Sequence, residues 1–388
     1  MKTATPEKIG EHNQKLILDL IRKSGPVSRA DISRAVDMSF PSVSANVRVL
    51  LENGYVEEVG SGDNVMGRKS TLVAFKANRG YVIGLDIGRS QIRMLLVDLL
   101  GATIESVVSD SNLQKSKEEI IEQLKSLLNT LIIRSKIPIE KILCISVGIP
   151  GIIDKETGRT YLAPFFGGLQ EKDIKKTILS MLNDVPILVE NSVGCGAIGE
   201  KWRGVGIGFR NILYVNYGIG LGSALIINGE LFTGAKGAAG ETGFMVLDKT
   251  HLRKDFSEEG AIESIISGRS IMNLLNEDNG KITIESLMSN YQNGDKKVKA
   301  IVNKSIEYIG MMFINASAVI NPDLIIVSGG VGCGIYKHGI DRWNEMLHAH
   351  IPYAPKIIES QLQNKANVLG AIAVGLRHIN EYVDFDRE

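Results

Sequence analysis

Residues 211–245, NILYVNYGIGLGSALIINGELFTGAKGAAGETGFM, decide how this 388-residue chain is read. Two apolar runs, Ile212 to Val215 and Ala224 to Ile227, have the continuous, partly β-branched character of buried strands. Glycines crowd between and after them. Glycine beside a strand lets backbone N–H groups approach a bulky anion, or lets the chain turn where side chains would clash. A phosphate-cradling hairpin is one reading. A plain β-hairpin turning at Asn228-Gly229 is the other, and the residues fit both.

The flanking sequence has the alternation of a covered sheet. Upstream, YVIGLDIGRSQIRMLLVDLLGATIESVV from Tyr81 reads as strand, glycine turn, strand, turn, strand. Lys117 to Ser135 carries Ile120, Ile121, Leu124, Leu127, Leu128 and Leu131 at helical spacing, and Ile142 to Val147 is a buried strand ending in Gly148-Ile149-Pro150-Gly151. Val185 to Val189 is a further strand that delivers Glu190-Asn191-Ser192 to its end. Leu324 to Val327 does the same for Ser328-Gly329-Gly330. Ligands collect at such strand ends in open α/β sheets.

The first 79 residues differ. They hold 12 basic and 9 acidic residues, a net of +3 that leaves −3 for the rest of a neutral chain. The spacing predicts a helix from about Asn13 to Lys23, buried through Leu16, Ile17, Leu20 and Ile21 and stopped by Gly25-Pro26. A short helix capped by Ser28 follows, then a turn at Asp37-Met38-Ser39. The next helix, Pro41 to Glu52, buries Val43, Val47, Leu50 and Leu51. Two strands, Tyr55 to Val59 and Thr71 to Phe75, complete a winged helix-turn-helix pattern. Small polar residues at the second helix's start can approach base edges closely, which makes Ser39, Pro41, Ser42, Ser44, Asn46 and Arg48 the DNA-contact candidates. Arg68 and Lys69 join them at the wing. A three-helix scaffold for protein contacts is the blander alternative.

Cys144, Cys195 and Cys333 are far apart and form no CxxC pair, which suits a reducing cytoplasm. The N-terminus lacks a signal-peptide core and no run of 18 apolar residues occurs, so a soluble, intracellular protein without a membrane partner is expected.

Taken together, these residues resemble the ROK family (repressors, open reading frames and kinases). The resemblance rests on Asp86-Ile87-Gly88, Gly148-Ile149-Pro150-Gly151, Glu190-Asn191 with Gly199-Glu200, Gly218-Ile219-Gly220, Gly237-Ala238-Ala239-Gly240-Glu241, Glu263 before Ser267-Gly268-Arg269, and Gly329-Gly330. The leading winged domain is that of its repressor branch, which includes xylose and N-acetylglucosamine repressors. The resemblance implies two actin-like α/β lobes behind that domain, about residues 80–190 and 191–368, with a sugar in the cleft. It also implies a final helix, from about Leu369, packed back on the first lobe.

By the same resemblance, Asn191, Ser192, Glu241, Phe244, Glu263 and Gly151 are the sugar-contact candidates. Asp86, Gly88, Gly218, Gly220, Gly329 and Gly330 would be inherited nucleotide loops. Family kinases place an aspartate general base where this chain has Ser192, and a hydroxyl cannot take that proton at neutral pH. Their phosphate loop is also altered here, with Tyr217 expected to put a ring where a phosphate needs a small residue. The first loop reads Gly88-Arg89-Ser90-Gln91, another departure. The family's structural zinc is expected to be absent, because Phe244 stands at its histidine position and no cysteine lies between Cys195 and Cys333. The expectation is a non-enzymatic, sugar-responsive repressor of carbohydrate-utilisation genes, acting as a homodimer or larger on a near-palindromic duplex. The alternative is an ATP-dependent sugar kinase, glucokinase-like or N-acetylglucosamine kinase-like, with a DNA-binding appendage.

Overall fold

Helices α1 (Pro6–Ser24), α2 (Arg29–Ala35) and α3 (Phe40–Glu52) pack with β1 (Val27–Ser28), β2 (Val56–Gly62) and β3 (Ser70–Phe75). The strands pair antiparallel in the order β1-β3-β2. The computed structural model describes residues 6–62, 70–88, 90–111, 116–154, 159–161, 171–182, 185–253, 260–275 and 283–381. Local chemistry sets the helix ends. Gly25, at φ 76°, closes α1, and the Ser28 and Ser39 hydroxyls cap α2 and α3 by accepting from Asp31 N and Ser42 N. Asp37, at φ 52°, makes the left-handed turn between α2 and α3. Ile17, Ile21, Ile32, Val43, Val47, Leu50 and Val73 form the sealed core of this unit.

Helix α1 begins well before Asn13, and its buried stripe is rotated from the predicted one. Leu18 is buried, whereas Leu16 is 41% exposed. Apolar residues at 16, 17, 18, 20 and 21 permit either face, and packing against α3 and β3 selects one.

The rest of the chain forms two lobes of the same design. The first sheet, β4 (Tyr81–Ile87), β5 (Gln91–Asp98), β6 (Thr103–Asp110), β7 (Ile142–Ile149) and β10 (Ile187–Asn191), has the order β10-β7-β4-β5-β6. A hairpin of β8 (Ile152–Asp154) and β9 (Arg159–Tyr161) stands beside it. The second sheet, β11 (Ile212–Tyr217), β12 (Leu221–Ile227), β13 (Glu230–Phe232), β14 (Leu324–Ser328) and β15 (Lys356–Glu359), runs β13-β12-β11-β14-β15. In each, the first three strands are an antiparallel meander and the last two add parallel to the first strand. The recurrence of strand-to-glycine turns in the sequence therefore corresponds to a repeated topology. Asn228 and Gly229, at φ 54° and 92°, form the turn between β12 and β13, while the glycines at 218–220 turn β11 into β12.

Helices α4 (Lys117–Ser135) and α5 (Glu171–Leu179) cover the first sheet. The second is covered by α7 (Glu263–Ile266), α8 (Gly268–Leu275), α9 (Ile284–Gln292), α10 (Lys296–Ile320) and α11 (Gly330–His350). Two helices join the lobes: α6 (Ser192–Arg203), which follows β10, and α12 (Ala366–Glu381), which follows β15 and returns to pack on β4 and β7. Where they cross, a Cβ on Gly370 would overlap the Cys195 carbonyl, so the backbones touch. Glu200 of α6 is fully buried there. Its carboxylate accepts from Ser360 Oγ at 2.6 Å, Leu362 N at 2.9 Å and Val205 N at 2.9 Å, tying α6 to the segment that leads into α12. Among the described residues, no helix is long and apolar enough to cross a membrane.

Candidate functional site

The cleft between the lobes holds a cavity of about 540 Å³. It is lined by every residue predicted to contact sugar: Gly151, Asn191, Ser192, Glu241, Phe244 and Glu263. It is also lined by Asp86, Gly88, Gly218, Gly220, Gly329 and Gly330, the residues expected to form inherited nucleotide loops. The common cause is topological. The β4–β5 and β11–β12 turns, and the ends of β7, β10 and β14, all open toward the cleft from their two sheets.

Asn191 ends β10 and caps α6. Its Oδ1 accepts from Val193 N at 2.8 Å and Gly194 N at 3.0 Å, and its Nδ2 donates to Gly151 O at 2.7 Å. The amide thus has a structural task as well as a cavity-lining position, and among the described residues Nδ2 makes one hydrogen bond of the two it can donate. Ser192 is buried at the first turn of the same helix. Half-buried Glu263 accepts from Leu221 N at 3.2 Å, which fixes one carboxylate oxygen against the β11–β12 hairpin. Glu241 precedes and Phe244 ends the short helical turn Thr242–Phe244, on the cavity wall. The Phe244 ring offers no metal-ligand atom, and no group of three or more His, Cys, Asp or Glu that could hold a metal ion occurs among the described residues.

Tyr217 corrects one expectation. It is not in the cavity: its side chain is 1% exposed, points into the core of the second lobe and donates its hydroxyl to Ile266 O. Adjacent strand residues face opposite sides, so Asn216, not the tyrosine, lines the cleft. The β11–β12 turn is therefore not blocked by a ring. Of the remaining departures, Ser192 stands in the cavity and Arg89 lies outside the described residues.

Asp86 is buried at the cavity floor, and Asn367 Nδ2 donates to its Oδ1 at 3.5 Å. Burial pushes its carboxyl up to about 7, against the opposing pull of Arg93 and the Asn367 amide. The unfolded chain holds this group nearer 3.8, so between these values the folded protein carries more protons and loses stability as pH rises. Asp86→Asn keeps the shape and removes the charge. Near pH 8 the variant is expected to be more stable than wild type, by on the order of 2–4 kcal/mol. The gap should close near pH 4, and thermal melts across that range read it.

Some cavity residues left no usable signal in the sequence. Asn367 reaches Asp86 from α12, 281 positions away. Arg269 was visible only as part of a motif, and the structure gives it a place in the cavity wall with its backbone N donating to Ile219 O at 3.0 Å.

On the winged unit, Ser39 is occupied as a helix cap and Asn46 Nδ2 donates to Ser42 O at 2.9 Å. Pro41 is exposed, Ser42 and Ser44 are half-buried, and the Arg48 side chain is 74% exposed, with a 3.9 Å pair to Glu52. Phe40, overlooked in the sequence, is 53% exposed at the start of α3. Arg68 and Lys69 lie outside the described residues. Arg48→Ala is expected to weaken duplex binding and lower the slope of log K against log salt by about 1, measured by fluorescence anisotropy in a salt series.

A winged helix-turn-helix DNA-binding model matches residues 11–57. The xylose repressor of Caldicellulosiruptor bescii is 26% identical over 392 residues, covering 96% of this chain and 97% of that protein. A crystal structure of a ROK family transcriptional regulator, a homolog of the E. coli MLC protein, is similar with a TM-score of 0.76 at 18% identity, over 96% of this chain and 97% of that one. The ROK hexokinase from Thermus thermophilus has a TM-score of 0.66 at 21% identity, over 78% of this chain and 99% of that one. At these identities the two structures speak for the fold. The ROK family model matches residues 82–377, the two lobes and both joining helices, and the chain belongs to the ROK family.

Proposed function

We propose that the protein is a sugar-responsive transcriptional repressor whose DNA binding is set by a sugar held in its interlobe cavity. The observation that carries this reading is the union in one chain of a winged helix-turn-helix with a kinase-like cleft whose general-base position is Ser192. The cleft offers Glu241, Glu263 and one amide hydrogen of Asn191 to hydroxyls, the groups by which a sugar satisfies polar atoms that are costly to bury. The names of the full-length relatives make D-xylose the first effector to test and an operator ahead of utilisation genes the first DNA target.

In this reading two copies place their α3 helices in successive major grooves of a near-palindromic site, about 34 Å apart. Sugar bridging the lobes selects one closure of the cleft. It releases DNA only if it binds the DNA-incompetent closure better, by a few kcal/mol. The direct test is anisotropy of a labelled duplex from the protein's own upstream region, with D-xylose, D-glucose and N-acetylglucosamine titrated. The expected result is tight binding that one sugar weakens.

Phosphoryl transfer is a second reading. Its support is Asp86, a carboxyl raised to about 7 in the same cavity, together with the kinase-like fold. A coupled ATPase assay over the same sugars separates the two. Without an aspartate at Ser192 the chemical step lacks a contribution of about 100- to 10,000-fold. Turnover above about 1 per second would establish the kinase.

A further inference from the structure

Helix α6 has one end in the ligand cavity and the other against the β5–β6 turn, which itself meets the DNA-binding unit. Its N-terminal residues, Asn191 to Val193, line the cavity. At 12 residues it spans about 18 Å, and at its crossing with α12 the backbones touch, at Gly370 against Cys195 and Gly199 against Ala366. As one continuous helix, α6 ties the position of its last turn to that of its first.

The last turn carries Trp202 and Arg203. Arg203 stacks on the Trp202 ring, 3.9 Å from its centroid, and donates to Leu100 O at 3.2 Å. That carbonyl belongs to the β5–β6 turn, which is rigid: Asp98 Oδ1 accepts from Leu100 N and Ala102 N, both at 2.9 Å, and Gly101 sits at φ 79°. A Cβ on Gly101 would lie 2.7 Å from the Arg203 guanidinium and 2.8 Å from the Trp202 ring, so the turn and the end of α6 fit closely.

The other side of the same turn holds the DNA-binding unit. Arg22 of α1 donates to Leu99 O at 3.2 Å, and Leu99 N donates to Ala77 O at 3.2 Å in the segment after β3. Phe75, the last residue of β3, packs both in the winged-domain core and in the apolar cluster that contains Leu99 and Trp202. The contacts that orient α1 and the wing thus meet the contacts of α6 on three consecutive residues.

We infer that Arg203 is a positioning residue that makes the placement of the DNA-binding unit depend on what the cavity holds, acting through the Leu99–Gly101 turn to Arg22. It touches neither sugar nor DNA. The inference rests on the proposed sugar site. Its test uses the full-length protein, the upstream duplex and D-xylose, with the other two sugars in parallel. Three quantities are measured for wild type, Arg203→Ala, Arg203→Lys and Arg22→Ala: duplex affinity without sugar, the sugar-induced rise in melting temperature, and the ratio of duplex affinities without and with saturating sugar.

Wild type should show a ratio within the range of about 5 to 150. Arg203→Ala should keep duplex affinity and the sugar-induced melting shift near wild type, while the ratio falls below about 2. Arg203→Lys, which can donate to Leu100 O but lacks the flat guanidinium, should restore part of it. If Arg203→Ala does not fold, Arg22→Ala breaks the same junction from the other side and should give the same loss. A wild-type ratio in the folded variant overturns the inference. If wild-type duplex binding ignores every sugar, the functional proposal itself fails, an outcome distinct from a coupled wild type with an equally coupled variant.

Discussion

Glu241→Ala is expected to shift the sugar response to much higher sugar concentration while leaving duplex binding without sugar intact. The backbone around it is strongly determined. Gly240 lies at φ 91°, and a Cβ there would come within 2.6 Å of Ser223 O, so only glycine fits. Ser223 Oγ binds the Gly240 carbonyl and shares a 2.8 Å hydrogen bond with Thr242 Oγ1, while Phe244 N donates to Glu241 O at 3.1 Å. These bonds fasten residues 240–244 to β12 and hold Glu241 at the cavity wall. Hydrogen bonds to a charged group contribute about 1.5–3 kcal/mol each, so losing one should weaken sugar binding by roughly 10- to 150-fold. Titration calorimetry and the sugar-induced melting shift read this directly. Glu241→Gln keeps an acceptor and should fall between. An alanine variant with a normal response would show that the carboxylate does not meet the sugar.

The second large effect concerns stability. Glu200→Ala removes a fully buried carboxylate and leaves Ser360 Oγ, Leu362 N and Val205 N without their acceptor. The surroundings are tight. A Cβ on Gly204 would overlap the carboxylate itself, and one on Gly206 would lie 3.0 Å from the Glu200 carbonyl. Unsatisfied buried donors cost about 1–3 kcal/mol each. A loss on the order of 3–5 kcal/mol is therefore expected, a large share of the roughly 5–15 kcal/mol by which proteins are stable. The urea midpoint should fall accordingly, and a change below about 1 kcal/mol would mean that the joint between α6 and the α12 lead is held by something else. Because the carboxylate lies where the chain passes between lobes, its loss should also loosen cleft closure.

Much of this architecture is legible in the sequence because its signals are local. Runs such as Ile212 to Val215 and Leu324 to Val327 mark strands, the glycines that follow mark turns, and the stripe through Ile120, Leu124, Leu128 and Leu131 marks a buried helix face. What escapes is what depends on register or on distant chain. Tyr217 precedes Gly218 and so reads as part of the loop, yet the pairing of Asn216 with Gly222 puts Asn216 in the cleft and the tyrosine in the core. Asn191 shows the ambiguity of a polar residue at a helix start: the sequence permits ligand contact or a cap, and its carbonyl oxygen is used for the cap. Asn367 beside Asp86 and Arg203 beside Leu100 are juxtapositions made by helices returning across the molecule, with no local trace.

The measurement closest to the central claim is the affinity of the full-length protein for its upstream duplex, with and without sugar. The account predicts salt-sensitive binding that one sugar of the xylose, glucose and N-acetylglucosamine panel weakens at least fivefold, with no accompanying consumption of ATP. Binding indifferent to every sugar, or rapid sugar-dependent ATP turnover, would contradict it.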